Sequence, residues 1–203
     1  MKLYYAQGAC SLSPHIVLCE AGLQFDIEKV SLRDKTTEAG NDYNDINPKG
    51  YVPALQLDGG EMLTEGPAIV QYIADQVPDR RLAPPAGSLE RYRLVEWLSF
   101  ISTEIHKTFS GFFKPDTPDA AKQVLHTQLA RRFDYVEQQL QGRDYLSGDT
   151  FSVADAYLFT VVSWSKPLQI DLARWPNIQA YLQRVAARPA VQAALQAEGQ
   201  SRH

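Results

Sequence analysis

Hydrophobic and polar positions divide the first 77 residues into short extended runs and helical stripes. Runs rich in β-branched and aromatic residues predict strands at Lys2–Ala6, Phe25–Ser31, Pro53–Leu57 and Met62–Thr64. Helical spacing of apolar residues predicts helices at Ser13–Ala21 and Glu65–Gln76. Asp58-Gly59-Gly60, between the last two strands, is typical of a tight hairpin turn.

The order of these elements is βαβ followed by ββα. A β-crossover-β unit makes a parallel pair of strands, and a hairpin adds antiparallel strands. Residues 1–77 are therefore predicted to form a mixed four-stranded sheet with helices packed on it. This arrangement resembles the thioredoxin-like fold.

A proline-rich linker, residues 78–88, cannot continue as one helix. Beyond it, apolar spacing predicts helices at Leu89–Phe112, Asp119–Leu140, Ser152–Trp164 and Asn177–Ala187. Ser152 and Asp155 have the spacing of a capping box. We expect residues 89–203 to form a second domain, an all-helical bundle.

The composition excludes several classes of function. A formal net charge of −4 without a basic stripe argues against a nucleic-acid-binding protein. Two cysteines, no leading apolar run and no apolar stretch of membrane-spanning length argue against secretion and membrane insertion. We expect a cytoplasmic protein with neither a nucleic-acid nor a membrane partner.

Cys10 lies where the first strand is predicted to end and the first helix to begin. A sulfur at this point meets backbone N–H groups and the positive end of the helix dipole, and both favour the thiolate. The spacing Cys10-Ser-Leu-Ser13 resembles a redox Cys-x-x-Cys whose second cysteine is a serine. Cys10 can therefore form mixed disulfides but has no resolving thiol of its own.

Other roles compete with a reactive Cys10. Many cysteines are simply small buried hydrophobes, the role that we expect for Cys19. A disulfide between the two is excluded, because about eight helical residues span about 12 Å and bridged Cα atoms lie within about 7 Å. A metal site that includes His15 lacks a fourth ligand nearby in sequence, so we expect no metal.

A polar stripe at helical spacing runs along the predicted helix Leu89–Phe112 and consists of Ser99, Thr103, His106 and Ser110. A solvated helix face would explain this stripe equally well. His106 beside Lys107, in a row of hydroxyls, supplies donors that suit a thiolate, a carboxylate or a leaving group. His106 is therefore our second candidate catalytic residue.

Two motifs of the first domain have features that suit a peptide ligand. Pro53 begins a strand, and a cis Val52–Pro53 bond would turn the backbone of Val52 outward to pair with an extended ligand. Glu65 and Gly66 open the next helix and offer a carboxylate and accessible amides to an amino acid's charged end. A plain helix cap is the competing explanation of the second motif.

Together these segments resemble the cytosolic glutathione S-transferases over the full length of the chain, and the bacterial beta class in particular. The resemblance rests on residues 4–15, 47–53, 63–69 and 152–157. It implies that Cys10 contacts the glutathione sulfur and that His106 approaches the same site from the helical domain. It further implies that the glutathione-binding residues are Lys35, Tyr51, Val52, Glu65, Gly66, Ser99, Thr103, Glu104, Lys107 and Trp164.

Within this set, the resemblance assigns Val52 to the cysteinyl unit, Glu65 and Gly66 to the γ-glutamyl end, and Glu104 to the neighbouring subunit of a homodimer. Gly66 stands where many members have serine, which removes a hydroxyl and keeps the amide. Ser99 stands where some have asparagine, which shortens a hydrogen-bonding side chain.

The resemblance implies an enzyme, a glutathione transferase with glutathione as co-substrate. It would conjugate glutathione to small apolar electrophiles held near Phe113 and Trp164. Thiol–disulfide exchange or a peroxidase side activity would use Cys10. The alternative is a non-catalytic protein that binds apolar ligands or serves as a stress-related interaction module, since a fold alone does not establish catalysis.

Overall fold

The computed structural model describes residues 1–199, which form two compact units. The first unit comprises residues 1–83 and the C-terminal segment from Arg188, and the second comprises Pro84–Ala187. The domain boundaries predicted above, 1–77, 78–88 and 89–203, stay a prediction. Residues 200–203 lie outside the described residues.

The first unit begins with alternating strands and helices, as predicted. In chain order they are β1 (Lys2–Tyr5), α1 (Leu12–Ala21), β2 (Asp26–Ser31), β3 (Thr36–Thr37), α2 (Tyr43–Ile46), β4 (Ala54–Gln56), β5 (Met62–Thr64) and α3 (Gly66–Gln76). The strand order in the sheet is β3-β2-β1-β4-β5. β1 and β2 are parallel and the other neighbours are antiparallel, so the predicted mixed sheet is confirmed.

The prediction of four strands is wrong, because the sheet contains a fifth strand, β3. This strand consists of Thr36 and Thr37 alone, which pair with the end of β2. Two residues are too few for the alternation of apolar and polar positions to mark a strand.

The second unit is helical, as predicted. It contains α4 (Leu89–Phe100), a π-helix (Ile101–His106), α5 (Lys107–Phe112), α6 (Asp119–Gln139), α7 (Val153–Val162) and α8 (Pro176–Ala186). All residues of α7 are buried, and α4 and α8 both pack on it. A helix that is apolar on nearly every side forms the centre of a bundle.

A last helix, α9 (Pro189–Ala197), belongs to the first unit and packs on α1. Arg188 leads into it and binds the Glu20 carboxylate of α1 with two nitrogens, at 2.6 and 2.9 Å. The helix is short, and its only large apolar residues are Val191 and Leu195, so its spacing alone was too weak to predict it.

The residue after α9, Glu198, reaches the loop that carries Cys10. Its buried carboxylate lies 2.9 Å from Nδ1 of His15 on α1, and it accepts a hydrogen bond from the Gly8 backbone N–H at 3.4 Å. The end of the chain therefore holds both sides of the turn between β1 and α1.

Asp155 ties three segments of the second unit together. Its buried carboxylate accepts hydrogen bonds from the N–H of Leu146 at 2.9 Å, the N–H and hydroxyl of Ser152 at 2.8 Å each, and the hydroxyl of Tyr181 at 3.3 Å. Burial raises the pKa of this carboxyl to about 6, although the donors around it lower the pKa. The predicted capping box at the start of α7 is confirmed.

Replacing Asp155 by alanine is expected to lower the free energy of unfolding by about 3 kcal/mol, because several buried donors lose their acceptor at once. Ser152→Ala leaves the carboxylate in place and should cost about 1 kcal/mol. Chemical denaturation followed by circular dichroism measures both changes. Equal losses in the two variants would contradict the central position of the carboxylate.

Candidate functional site

Cys10 lies in the loop between β1 and α1, and its sulfur contacts a residue that is distant in sequence. The sulfur donates a hydrogen bond to the backbone carbonyl oxygen of Val52, with a sulfur-to-oxygen distance of 3.3 Å. A carbonyl oxygen accepts from a thiol and not from a thiolate. This contact therefore belongs to the protonated sulfur.

The start of α1 differs from the arrangement expected for a thiolate. The N–H groups of Leu12 and Ser13 bond to loop carbonyl oxygens three residues earlier, at 3.1 and 3.2 Å. The Ser11 hydroxyl does not cap the helix; it accepts from the N–H of Ala6 at 3.1 Å and donates to the carbonyl of Ala6 at 3.2 Å. These groups hold the loop to β1, and the two amides are already bonded to carbonyls.

The other thiol and the serine of the Cys-x-x-Ser spacing are placed differently from Cys10. Among the described residues, Cys10 and Cys19 are not joined by a disulfide. Burial raises the pKa of Cys19 to about 11, and the charge of Glu20 adds to this shift. Ser13 is buried, and its hydroxyl has no hydrogen-bond partner within residues 1–199.

Val52 presents backbone groups beside the Cys10 sulfur. The Val52–Pro53 peptide bond is cis, and the Val52 side chain is buried. In the described part of the chain the Val52 N–H has no acceptor, while its carbonyl accepts from Cys10. A backbone N–H and C=O outside the sheet ladder are the groups that an extended peptide uses for strand-like pairing.

Glu65 lies at the N-terminus of α3, on the other side of β4. The antiparallel pairing of Ala54 with Thr64 brings the segment before β4 next to it. Its carboxylate oxygen Oε1 accepts from the Tyr51 hydroxyl at 2.9 Å and from the Lys49 ammonium at 2.6 Å. Glu65 has a φ of 71°, a conformation that is costly for a residue with a side chain and that clusters at ligand sites.

Lys49, Tyr51 and Glu65 form a cluster that is stabilised by charge as well as by the pairing of the strands. The hydrogen bond to Glu65 raises the pKa of Lys49 and also that of Tyr51. Lys35 is another predicted site residue. Its ammonium donates to the Gly50 carbonyl at 2.6 Å and not to a residue of this cluster. The structure thus brings Cys10 to Val52 and Tyr51 to Glu65.

His106 ends the π-helix of the second unit and lies among aromatic side chains. Its Nδ1 lies 2.7 Å from the Tyr157 hydroxyl, and its ring meets that of Trp164 edge-on with centroids 5.0 Å apart. Burial lowers the pKa of His106 to about 4, and the charge of Lys107 lowers it further. His106 is therefore neutral at neutral pH.

The remaining predicted residues of the second unit have contacts within that unit. The Thr103 hydroxyl donates to the Ser99 carbonyl at 3.0 Å, and the Glu104 carboxylate accepts from Nε of Arg132 at 2.7 Å. Lys107 is exposed. The ring of Trp164 contacts the half-exposed Phe113 at a centroid distance of 5.4 Å.

Sequence reasoning missed three features of these contacts. Lys49 lies within residues 47–53, but its contact with Glu65 depends on the pairing of β4 with β5, which the sequence does not show residue by residue. Tyr157, the partner of His106, lies two residues after the capping carboxylate Asp155, with no local signal of its own. The π-helix cannot be read from periodicity, because one widened turn shifts the side-chain spacing only locally.

Two properties of the described residues bear on partners and cofactors. No helix within residues 1–199 combines the length and the apolar character that a membrane span requires. Over the same residues, no group of three or more His, Cys, Asp and Glu side chains is arranged to hold a metal ion.

Comparisons with known proteins identify the family. Residues 8–76 match the family model described as glutathione S-transferase, N-terminal domain, and residues 100–189 match the one described as glutathione S-transferase, C-terminal domain. Glutathione S-transferase GstA of Escherichia coli O157:H7 is 49% identical over 199 residues, which are 98% of this chain and 99% of that protein.

Two solved structures are similar over nearly the whole chain. A sphingomonad glutathione S-transferase complexed with glutathione has a TM-score of 0.95 at 49% identity and covers 99% of this chain and 100% of its own. The bacterial beta-class glutathione S-transferase of Sphingomonas chungbukensis has a TM-score of 0.96 at 48% identity, with the same coverage of 99% and 100%. This chain belongs to the glutathione S-transferase family.

Proposed function

We propose that this enzyme conjugates glutathione to small apolar electrophiles and that Cys10 exchanges disulfides with glutathione. The observation that carries the proposal is the contact between the Cys10 sulfur and the Val52 carbonyl. It places a thiol against backbone groups that suit an extended peptide. The sphingomonad relative, which was solved with glutathione, supports glutathione as that peptide.

Docking of glutathione and release of the Cys10 sulfur are coupled in this proposal. The cysteinyl N–H of glutathione bonds to the Val52 carbonyl, and the cysteinyl carbonyl accepts from the Val52 N–H. The ligand then occupies the acceptor that the Cys10 S–H uses in the structure. Loss of that acceptor removes an interaction that favours the protonated sulfur.

The ends of glutathione are assigned to residues on either side of Val52. Glu65 and Gly66 bind the γ-glutamyl end, where the carboxylate and the N-terminal amides of α3 suit an ammonium and a carboxylate. Lys35 and Tyr51 line the rest of the site in the first unit.

From the second unit we propose six residues on the strength of the family resemblance: Ser99, Thr103, Glu104, His106, Lys107 and Trp164. Among them, His106 is neutral because burial lowers its pKa to about 4. The Tyr157 phenol is a better donor than a neutral imidazole N–H, so we assign the hydroxyl proton to the bond with Nδ1. Nε2 then carries the ring proton and can donate to a sulfur anion.

In conjugation, the glutathione thiolate attacks an electrophilic carbon, and a leaving group such as chloride departs with the bonding electrons. The site favours the reaction by stabilising the thiolate over the thiol. Phe113 and Trp164 supply the aromatic walls that suit an apolar electrophile.

In exchange, the Cys10 thiolate attacks the glutathione sulfur of a mixed disulfide between glutathione and another thiol, and that other thiol leaves as a thiolate with the electrons of the broken S–S bond. Cys10 is then joined to glutathione as a mixed disulfide. A second glutathione thiolate attacks the glutathione sulfur of that disulfide and releases the Cys10 thiolate. The Cys-x-x-Ser spacing requires this external thiol, since it contains no resolving cysteine.

We also propose that the enzyme is a cytoplasmic homodimer. Both features follow from the family resemblance. In that dimer Glu104 would contribute to the neighbouring subunit's site, as the resemblance implies.

Incubation with oxidised glutathione should add one glutathione to the wild-type protein, and a reductant should remove it. Cys10→Ala should prevent the adduct and abolish exchange, because the attacking sulfur is gone. Conjugation of a chlorinated nitroaromatic should fall only about threefold to tenfold, the size of one lost hydrogen bond. Intact-protein mass spectrometry and steady-state assays give these results.

Cys19→Ala is the matched control for this experiment, because burial raises the pKa of Cys19 to about 11 and keeps it protonated. This variant should still form the adduct. An adduct that persists in Cys10→Ala and disappears in Cys19→Ala would refute the assignment of the reactive sulfur.

A second prediction concerns pH. Since His106 titrates only near its lowered pKa of about 4, it stays neutral through the range in which conjugation is measured. His106→Asn should lower kcat/KM about tenfold at every pH above about 5 and leave the acid limb of the profile in place. His126→Asn, which changes an exposed histidine of the same unit, should alter neither. An acid limb that shifts in His106→Asn alone would contradict a neutral His106.

A further inference from the structure

Lys49 and Glu65 form an ion pair at the place assigned to the γ-glutamyl end of glutathione. The ammonium lies 2.6 Å from Oε1 of the carboxylate and also donates to the Thr64 hydroxyl at 3.0 Å. The two side chains keep 44% and 54% of their surfaces exposed. A ligand can therefore reach both charges without unfolding the site.

The pair has the charges that an α-amino-acid group requires. The γ-glutamyl end of glutathione carries an ammonium and a carboxylate on the same carbon atom. A protein cation and anion in direct contact match these two charges with opposite signs. When the ligand binds, the ion pair between Lys49 and Glu65 is replaced by two ion pairs, one between each side chain and the ligand. Every charge therefore still has a partner of opposite sign.

Resting on the proposed function, we propose that Lys49 binds the α-carboxylate of the γ-glutamyl end while Glu65 binds its ammonium. The Lys49–Glu65 contact in the structure is then the ligand-free arrangement of a subsite for an amino-acid zwitterion. The enzyme consequently selects thiols whose γ-glutamyl end carries both charges, and it discriminates against analogues that lack either one.

The glycine at position 66 gives a reason for a cation beside the ligand carboxylate. Position 66 offers the ligand carboxylate a backbone amide and no hydroxyl. Lys49 supplies a further donor from the neighbouring segment. The absence of a hydroxyl is not a matter of space, because a Cβ on Gly66 would meet only the Pro53 ring, at 3.9 Å.

The test is calorimetric titration of the full-length protein with glutathione and two analogues under reducing conditions. One analogue lacks the α-carboxylate (γ-aminobutyryl-cysteinyl-glycine) and the other lacks the α-amino group (glutaryl-cysteinyl-glycine). Lys49→Met should weaken glutathione binding about twofold to fivefold, the range for an accessible ion pair. The same variant should bind the decarboxylated analogue as well as the wild type does.

Two further variants control for charge and fold. Lys49→Arg keeps the cation and should retain most of the affinity. Lys29→Met makes the same change of charge at an exposed position on β2 and should bind glutathione like the wild type. The difference between wild type and Lys49→Met should shrink as the ionic strength rises, since salt screens accessible charges.

The Gly66→Ser variant tests the link between the two positions. A serine hydroxyl at 66 supplies the donor that glycine lacks, so the loss caused by Lys49→Met should be smaller in the Gly66→Ser background than in the wild type. This comparison is a double-mutant cycle that isolates the coupling of the two residues.

Three results would overturn the inference alone: glutathione affinity in Lys49→Met that equals or exceeds that of the wild type, equal weakening for glutathione and the decarboxylated analogue, or a cycle without coupling. The second result would mean that Lys49 only positions Glu65. A wild-type protein that does not bind glutathione at all would overturn the proposed function, and this inference with it.

Discussion

The position of β4 between β1 and β5 in the sheet is the constraint on which the candidate site of the first unit depends. Tyr4 of β1 pairs with Ala54 on one side, and Thr64 of β5 pairs with Ala54 on the other. The segment that leads into β4 therefore has the Cys10 loop to one side and the start of α3 to the other. A shift of register by one residue would reverse the faces of the strand and separate these groups, so the pairing of three short strands determines which side chains meet.

Periodicity was sufficient for the elements that present a regular face to a core. The paired strands around β1, the helices on both halves, the proline-rich break and the capping box at α7 all follow from local pattern. β3 and α2 could not be predicted in this way. Two threonines and a four-residue helix are too short to show a repeating pattern of apolar and polar positions. α9 was missed because its stability comes from packing on α1 and from ion pairs with residues far away in sequence.

From the sequence the candidate site is a predicted list of residues, and their contacts come from the structure alone. Cys10 was identified from its place before a helix, yet its acceptor is a carbonyl of a residue that only the sheet brings close. The amides that were expected to face the sulfur bond to loop carbonyls, because a tight turn satisfies its own backbone first. His106 was identified from a polar stripe, whereas its neutrality depends on burial beside Tyr157 and Trp164, which tertiary packing alone determines.

Glu198 gives the first unit an order of assembly. Its carboxylate contacts Gly8 and His15 across sequence separations of 190 and 183 residues. Contacts at such separations close long loops of chain, and the entropy of closing those loops is lost before the contacts can compensate for it. The turn around Cys10 therefore reaches its complete set of contacts only after α9 has packed on α1.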